Sequence, residues 1–446
     1  MKQKSLFKRL VAAGAVCVLA IVVLMSCGEK SEEGGVVAGA HPVIIIALDG
    51  LRADALGSYG AMAKTPVFDA LAAESVRFEW AFAQAPQSQP SLATLFSGLY
   101  PTTNGLRAPG DSMADEAQTL AEVLGTAGYS TAAFVEGQPG SSDYGLAQGF
   151  DSYQTVAEPG IAAAEWMRVH ANENFLLVLA GWSNLALEQV STLLEGSGQP
   201  EGMDQRVAKV LASRTTDQPI EFEERDLEWA RTWYAARIQV IDWLLGGFMN
   251  KVRGLGLDDR ATLVVLGSNG FALQEHNDLF GESLYTSVTH VPVFVRFAAG
   301  ADVREVSKVV EVVDLMPTIL DLTGQAVPAG VQGASLVPIL EGAGQPPYVA
   351  FGESPQSAGQ RFVALGGMGM VSGIAGDSAE IFDITADPLQ RNDLAEAEAD
   401  KLAVMVRHLE AWEKMVAVTS LDPELRTEEE LDEDTLKQLK SLGYIQ

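Results

Sequence analysis

The chain has 446 residues, 47% of them hydrophobic, and a formal net charge of −29. That length and apolar content are enough for the core of one large domain or of two closely packed ones. The charge argues against nucleic acid as a partner, because phosphate binding needs clustered lysine and arginine. It also argues against long-range attraction of sulfate or phosphate esters, which only a local cationic pocket would overcome.

In chain order, "MKQKSLFKRL" is a positively charged start, and "VAAGAVCVLAIVVLM" is an apolar stretch too short for a comfortable membrane span. It runs into Leu24-Met25-Ser26-Cys27, which resembles the lipobox of bacterial lipoproteins. The resemblance implies that residues 1–26 are a signal peptide cut before Cys27 and that Cys27 is lipidated. Residues 27–40 then form a flexible tether, and membrane lipid is a partner through Cys27. The expected location is the bacterial cell envelope, outside the cytoplasm, at the periplasmic face or the outer membrane. Cys17 lies in the apolar stretch, so cleavage leaves no internal disulfide and no thiol nucleophile.

"VIIIAL" (43–48) is a continuous Ile-rich run, the pattern of a strand buried on both faces. Similar runs recur at 130–135, 175–180, 262–267 and 291–297. Helical patterns start at Thr65 and Thr119, and longer ones cover 226–254 and 309–324. Trp229, Trp233 and Trp243 fall in the first of these long patterns and are expected in the core. Buried strands alternating with helices predict an α/β sandwich around a central, mostly parallel sheet. From about Tyr348 the runs shorten and turn residues increase, which predicts a small C-terminal antiparallel subdomain closed by a helix near 401–415. The expected boundaries are 41–345 for the α/β domain, 346–420 for the subdomain and 421–446 for a charged helix or tail.

In open α/β sheets ligands bind beyond the carboxyl ends of the strands, where "ALDGLRADALGSYG" places Asp49 directly after the first run. With "PSLATLFSGLYPTTNGLR", "TLAEVLGTAGYSTAAFV", "THVPVFVRFAAG" and "IFDITADPLQRNDLA" it forms an ordered set of motifs. From about Pro42 onward this set resembles the sulfatase family of the alkaline-phosphatase superfamily.

The resemblance implies hydrolysis of sulfate esters by a formylglycine made from Cys or Ser in a Cys/Ser-x-Pro-Ser-Arg motif. A calcium ion held by carboxylates and an Asn would polarise the ester. Ser88 matches the nucleophile position in Ser88-Gln89-Pro90-Ser91, but Leu92 stands where the motif has Arg. Asp49 and Asn269 match metal-ligand positions, whereas Gly50 and Ser268 stand where a second and a later carboxylate are usual. The Asp-Pro-His-type stretch is "AGWSNLA", Asn104 replaces a usual His, and no Lys occurs between Lys251 and Lys308. Arg107 is left as an anion contact or a packing residue. Glu275 and His276, with His290, remain as structural or site residues, and Ser88 is expected to cap a helix beginning near Pro90.

Two readings follow. In the first, the chain is a sulfatase-fold envelope protein with impaired chemistry and no tightly bound metal, whose ligand is a sulfated or phosphorylated envelope component. In the second, it is a divergent hydrolase of sulfate, phosphate or phosphonate esters that uses calcium or another divalent metal. A transferase or carbohydrate-recognition role is a weaker third.

Overall fold

The computed structural model describes residues 41–437, apart from 62–63, 109, 138–143, 183–188, 191–193, 195–223, 279–280, 299–303, 343–347, 356–358, 428–432 and 434. Cys27, the lipobox, the tether and most of the charged terminal stretch lie outside the described residues.

The elements that build the sheet and its covering helices are β1 (Val43–Leu48), α1 (Pro66–Ala72), β2 (Val76–Phe82), α2 (Ser88–Ser97), α3 (Leu120–Thr126) and β3 (Ser130–Val135). They continue with β4 (Ser152–Thr155), α4 (Pro159–His170), β5 (Phe175–Gly181), α5 (Glu224–Gly254), β6 (Thr262–Gly267), β7 (His290–Arg296), β8 (Arg304–Glu311) and α6 (Leu315–Leu322). Eight strands form one sheet in the order β4-β3-β5-β1-β6-β7-β2-β8. Only β7 runs antiparallel to its neighbours, so the expected mostly parallel sheet is present.

Why β1 reads as a continuous apolar run is plain in its packing. Val43, Ile45 and Ala47 join the core beneath α2, α3 and α6, while Ile44, Ile46 and Leu48 join the core beneath α1, α4 and α5. Both faces are covered, so no position is left for a polar residue. The register pairs Leu48 with Gly181 of β5 and with Gly267 of β6. Three strands therefore end level, and Asp49, Trp182 and Ser268 all begin loops on the same edge.

The 309–324 stretch departs from the expected helix. Its first residues finish β8, which pairs parallel with β2, and only Leu315–Leu322 is α-helical. Valines at 306, 309 and 310 suit a pleated edge strand, and β2 supplies the backbone partners that decide the matter. Trp229 and Trp233 are buried as expected, but Trp243 is 66% exposed, on the solvent side of α5.

The second sheet is antiparallel, in the order β12 (Glu380–Asp383), β11 (Met368–Ser372), β10 (Gln360–Leu365), β9 (Val349–Ser354). Helix α7 (Ala399–Thr419) closes it by burying Leu409, Trp412 and Met415. Buried Glu311 at the end of β8 joins the two sheets, accepting hydrogen bonds from Phe351 N–H (2.8 Å) and from the Tyr100 hydroxyl. Three residues on, buried Asp314 accepts from Glu311 N–H (2.9 Å) and Ala334 N–H (2.8 Å). None of the described helices is long and apolar enough to cross a membrane.

Candidate functional site

Asp49, Ser88, Ser268 and Asn269 come together at the carboxyl edge of the sheet. Ser88 is not a cap. The helix begins at Ser88 itself, after Gln87, and neither residue offers a side-chain cap bond. The Ser88 hydroxyl instead donates to the Asp49 carboxylate, and lies 3.2 Å from Asn269 Oδ1. It has one proton, and the anionic oxygen is the stronger acceptor, so the bond goes to Asp49.

The Asn269 amide is then oriented by its surroundings. Its Nδ2 donates to the carbonyls of Pro86 (3.0 Å) and Gly270 (3.2 Å). Its Oδ1 accepts from Gly50 N–H (3.3 Å) and from the Ser268 hydroxyl (3.0 Å), which occupies both lone-pair directions. Flipping the amide would set donor against donor at Gly50, so this orientation is the only consistent one.

Beneath this group, α5 contributes two residues that the sequence reading did not single out. Arg237 donates to the backbone carbonyls of Asp49 (2.5 Å) and Gly50 (3.0 Å), and the Tyr234 hydroxyl donates to the Gly50 carbonyl (3.0 Å). The spacing of three residues puts both on one helix face. Burial pushes the Tyr234 phenol up to about 12, so it stays a donor. Gly50 has φ +62°, and a Cβ there would sit 3.2 and 3.3 Å from the Arg237 guanidinium nitrogens. The left-handed conformation favours glycine, and a Cβ would press on the Arg237 guanidinium.

Arg52 was also missed, although it stands three residues after Asp49. Its guanidinium is buried and binds Asp54 (2.6 and 2.7 Å), Glu275 (2.8 Å) and the Phe271 carbonyl (3.1 Å). Burial, the strongest single influence, would raise the carboxyls of Asp54 and Glu275; the Arg52 charge together with the hydrogen bonds each accepts outweighs it and holds both below the ordinary carboxylate range. Glu275 is thereby an anchor for the loop after β6, and its second oxygen accepts from Leu273 N–H. His276 stacks on Tyr285 with ring centroids 3.5 Å apart and donates from Nε2 to the Leu389 carbonyl (3.0 Å).

The remaining expected residues do not join the group. Arg107 sits in a turn where Asp111 holds its backbone N–H (3.2 Å), and no described contact links it to Asp49, Ser88 or Asn269. Asn104 is buried and closes its own turn, binding the Leu99 carbonyl and Leu106 N–H. Burial keeps His290 below its usual range, hence neutral, with Nε2 on the Glu79 carbonyl (2.8 Å).

A hard cation such as calcium takes six to eight oxygens, several of them charged. The donors here are one carboxylate already bound to Ser88, an amide oxygen with both lone pairs used, and two hydroxyls. Among the described residues no cluster of three or more His, Cys, Asp or Glu could hold a metal. This donor set does not fit the ion.

A family model described as Sulfatase matches residues 41–325, more than half of the chain. The N-acetylglucosamine-6-O-sulfatase of Bacteroides thetaiotaomicron is 23% identical, over 89% of this chain and 90% of that protein. Arylsulfatase K of Xenopus laevis is 30% identical, but the match spans 29% of this chain and only 24% of that relative's length. Among solved structures, the phosphonate monoester hydrolase of Agrobacterium radiobacter superposes with a TM-score of 0.67 at 20% identity, covering 85% of this chain and 96% of that one. That likeness is one of fold.

Proposed function

Because the chain belongs to the sulfatase family, we propose that it is a member with impaired ester hydrolysis, lipid-anchored through Cys27 at the cell envelope, that acts by binding a sulfated or phosphorylated envelope component. The observation that carries this reading is Asn269. Its Oδ1, at a family ligand position, is committed to Gly50 N–H and to the Ser268 hydroxyl, where a carboxylate is usual. A cation entering here would have to break those bonds and would find one carboxylate.

Leu92 in place of the motif's Arg supports the same reading, since it removes a charge from the helix that carries Ser88. Without a metal the Ser88 hydroxyl also lacks the activation an alcohol nucleophile needs, because Asp49 is the only charged partner it touches among the described residues.

The test is metal content of the full-length chain by mass spectrometry, after equilibration with calcium, magnesium, manganese and zinc, followed by a screen of aryl sulfates and phosphates. The expected result is no stoichiometric ion and no turnover above the level of Asp49→Ala. A chelator-sensitive ion, lost in Asp49→Ala together with turnover, would replace this reading with that of a divergent metal-dependent hydrolase.

A further inference from the structure

The donors of the Asp49 group do not fit a divalent cation, yet the turn that carries them is held by a cation of the chain's own. We propose that Arg237 is the residue that bars the ion. Its guanidinium takes the space of a second carboxylate, and it turns a peptide N–H onto the amide oxygen that a metal would need. Arg237 is thus a positioning residue that acts through the Asp49–Gly50 backbone. This role rests on the metal-free reading of the Asp49 group given above.

The space is read at Gly50, which stands where a second carboxylate is usual. The atoms nearest to a Cβ built there are Arg237 Nη1 (3.2 Å), Arg237 Nη2 (3.3 Å) and a Phe271 ring carbon (3.5 Å). A carboxylate carried on that Cβ would pair with the guanidinium instead of an ion. Arg237 is 2% exposed, so the helix holds it in place and solvent does not compete for it. A guanidinium also stays protonated throughout the range in which proteins fold, so this charge is permanent.

The second effect runs through one peptide plane. Arg237 Nη2 donates to the Asp49 carbonyl (2.5 Å), and the N–H of the same peptide, that of Gly50, reaches Asn269 Oδ1 (3.3 Å). In a planar trans peptide the carbonyl and the N–H point in opposite directions. Fixing the carbonyl on the guanidinium therefore fixes the N–H toward the amide oxygen. The next carbonyl, of Gly50, is held by Arg237 Nη1 (3.0 Å) and by the Tyr234 hydroxyl (3.0 Å), so the turn is gripped on both sides of Gly50. A donor hydrogen and a cation compete for the same lone pair. Arg237 thus reaches two family ligand positions, 50 by contact and 269 through the peptide.

The experiment is calorimetric titration of the full-length chain with calcium, with melting followed in chelator to confirm folding. Ser268→Asp supplies a missing carboxylate and is the reference. It is combined with Arg237→Gln, which keeps a donor for the turn without charge, or with Arg237→Lys, which keeps the charge. Wild type is expected to bind no calcium. Ser268→Asp with Arg237→Gln should bind at least tenfold more tightly than Ser268→Asp, and Ser268→Asp with Arg237→Lys should show no such gain. A further arm leaves Arg237 in place: Ser268→Asp with Gly50→Asp should bind no more than about twofold more tightly than Ser268→Asp alone, and it decides the matter should Arg237→Gln fail to fold. No gain with Arg237→Gln, an equal gain with Arg237→Lys, or a tenfold gain from Gly50→Asp beside native Arg237 would overturn the proposal alone. Stoichiometric calcium on wild type would overturn the proposed function as well.

Discussion

At the scale of single residues, the function proposed above rests on Gly50 and Ser268 standing where a calcium site of this family would carry carboxylates. Ser268→Asp would add the missing charge beside Asn269, at a position 3% exposed. Without metal the new carboxylate is buried near Asp49 and costs stability. With calcium it becomes a ligand, and binding to the folded state restores that loss. The variant is expected to melt below wild type in chelator and to rise by several degrees in millimolar calcium, while wild type does not respond; a thermal scan with and without chelator reads this. Gly50→Asp should gain much less, because the Arg237 guanidinium stands 3.2 Å from where its Cβ would be. Asp49, Ser88 and Asn269 were legible because they sit inside or beside ordered motifs. Arg52, Tyr234 and Arg237 were not. They act on backbone carbonyls and on one another's partners, and that demand leaves no spacing signature in the chain.

Elements were legible where one period dominated. β1, β3 and β6 are buried on both faces, and their limits coincide with the apolar runs. β8 was hidden because its last residues and α6 join into one apolar stretch whose strand half is decided by pairing with β2. The start of α1 was legible at Thr65, with Pro66 as its first helical residue, but what caps it was not. Its cap comes from Asp242 of α5, whose carboxylate accepts from Val67 N–H (3.0 Å) and Phe68 N–H (2.9 Å) across 175 and 174 residues of chain. Asp242→Ala is expected to cost about 1–2 kcal/mol in denaturant unfolding, with Asp242→Asn recovering part of it.

At the scale of the whole molecule, the seam between the sheets sets a pH dependence. Burial pushes the Asp314 carboxyl up to about 7. A group whose pKa is raised on folding favours the fold when protonated. Its contribution is full below about pH 4, the unfolded range of Asp, and declines as pH rises to about 7, where it is lost. Denaturant titrations across that window should show wild type losing stability relative to Asp314→Asn, by up to about 4 kcal/mol. A difference that stays flat with pH would show that Asp314 does not titrate there. The overall architecture was readable because alternation of buried strands and helices survives in composition. The seam was not, since Glu311 and Asp314 look like surface residues until both sheets close over them.

Helix α5 carries marks at three heights: Tyr234 on the Gly50 carbonyl, Arg237 on the Asp49 carbonyl, and Asp242 on the start of α1. At about 1.5 Å per residue these lie roughly 4.5 and 7.5 Å apart along one rigid axis. One inserted residue between them would turn everything beyond it by about 100°, and no sliding of the helix could reseat all three. The helix is in effect a ruler. Its exposed positions, such as Gln239, are free to change identity, but the count of residues from 234 to 242 is not free to change at all.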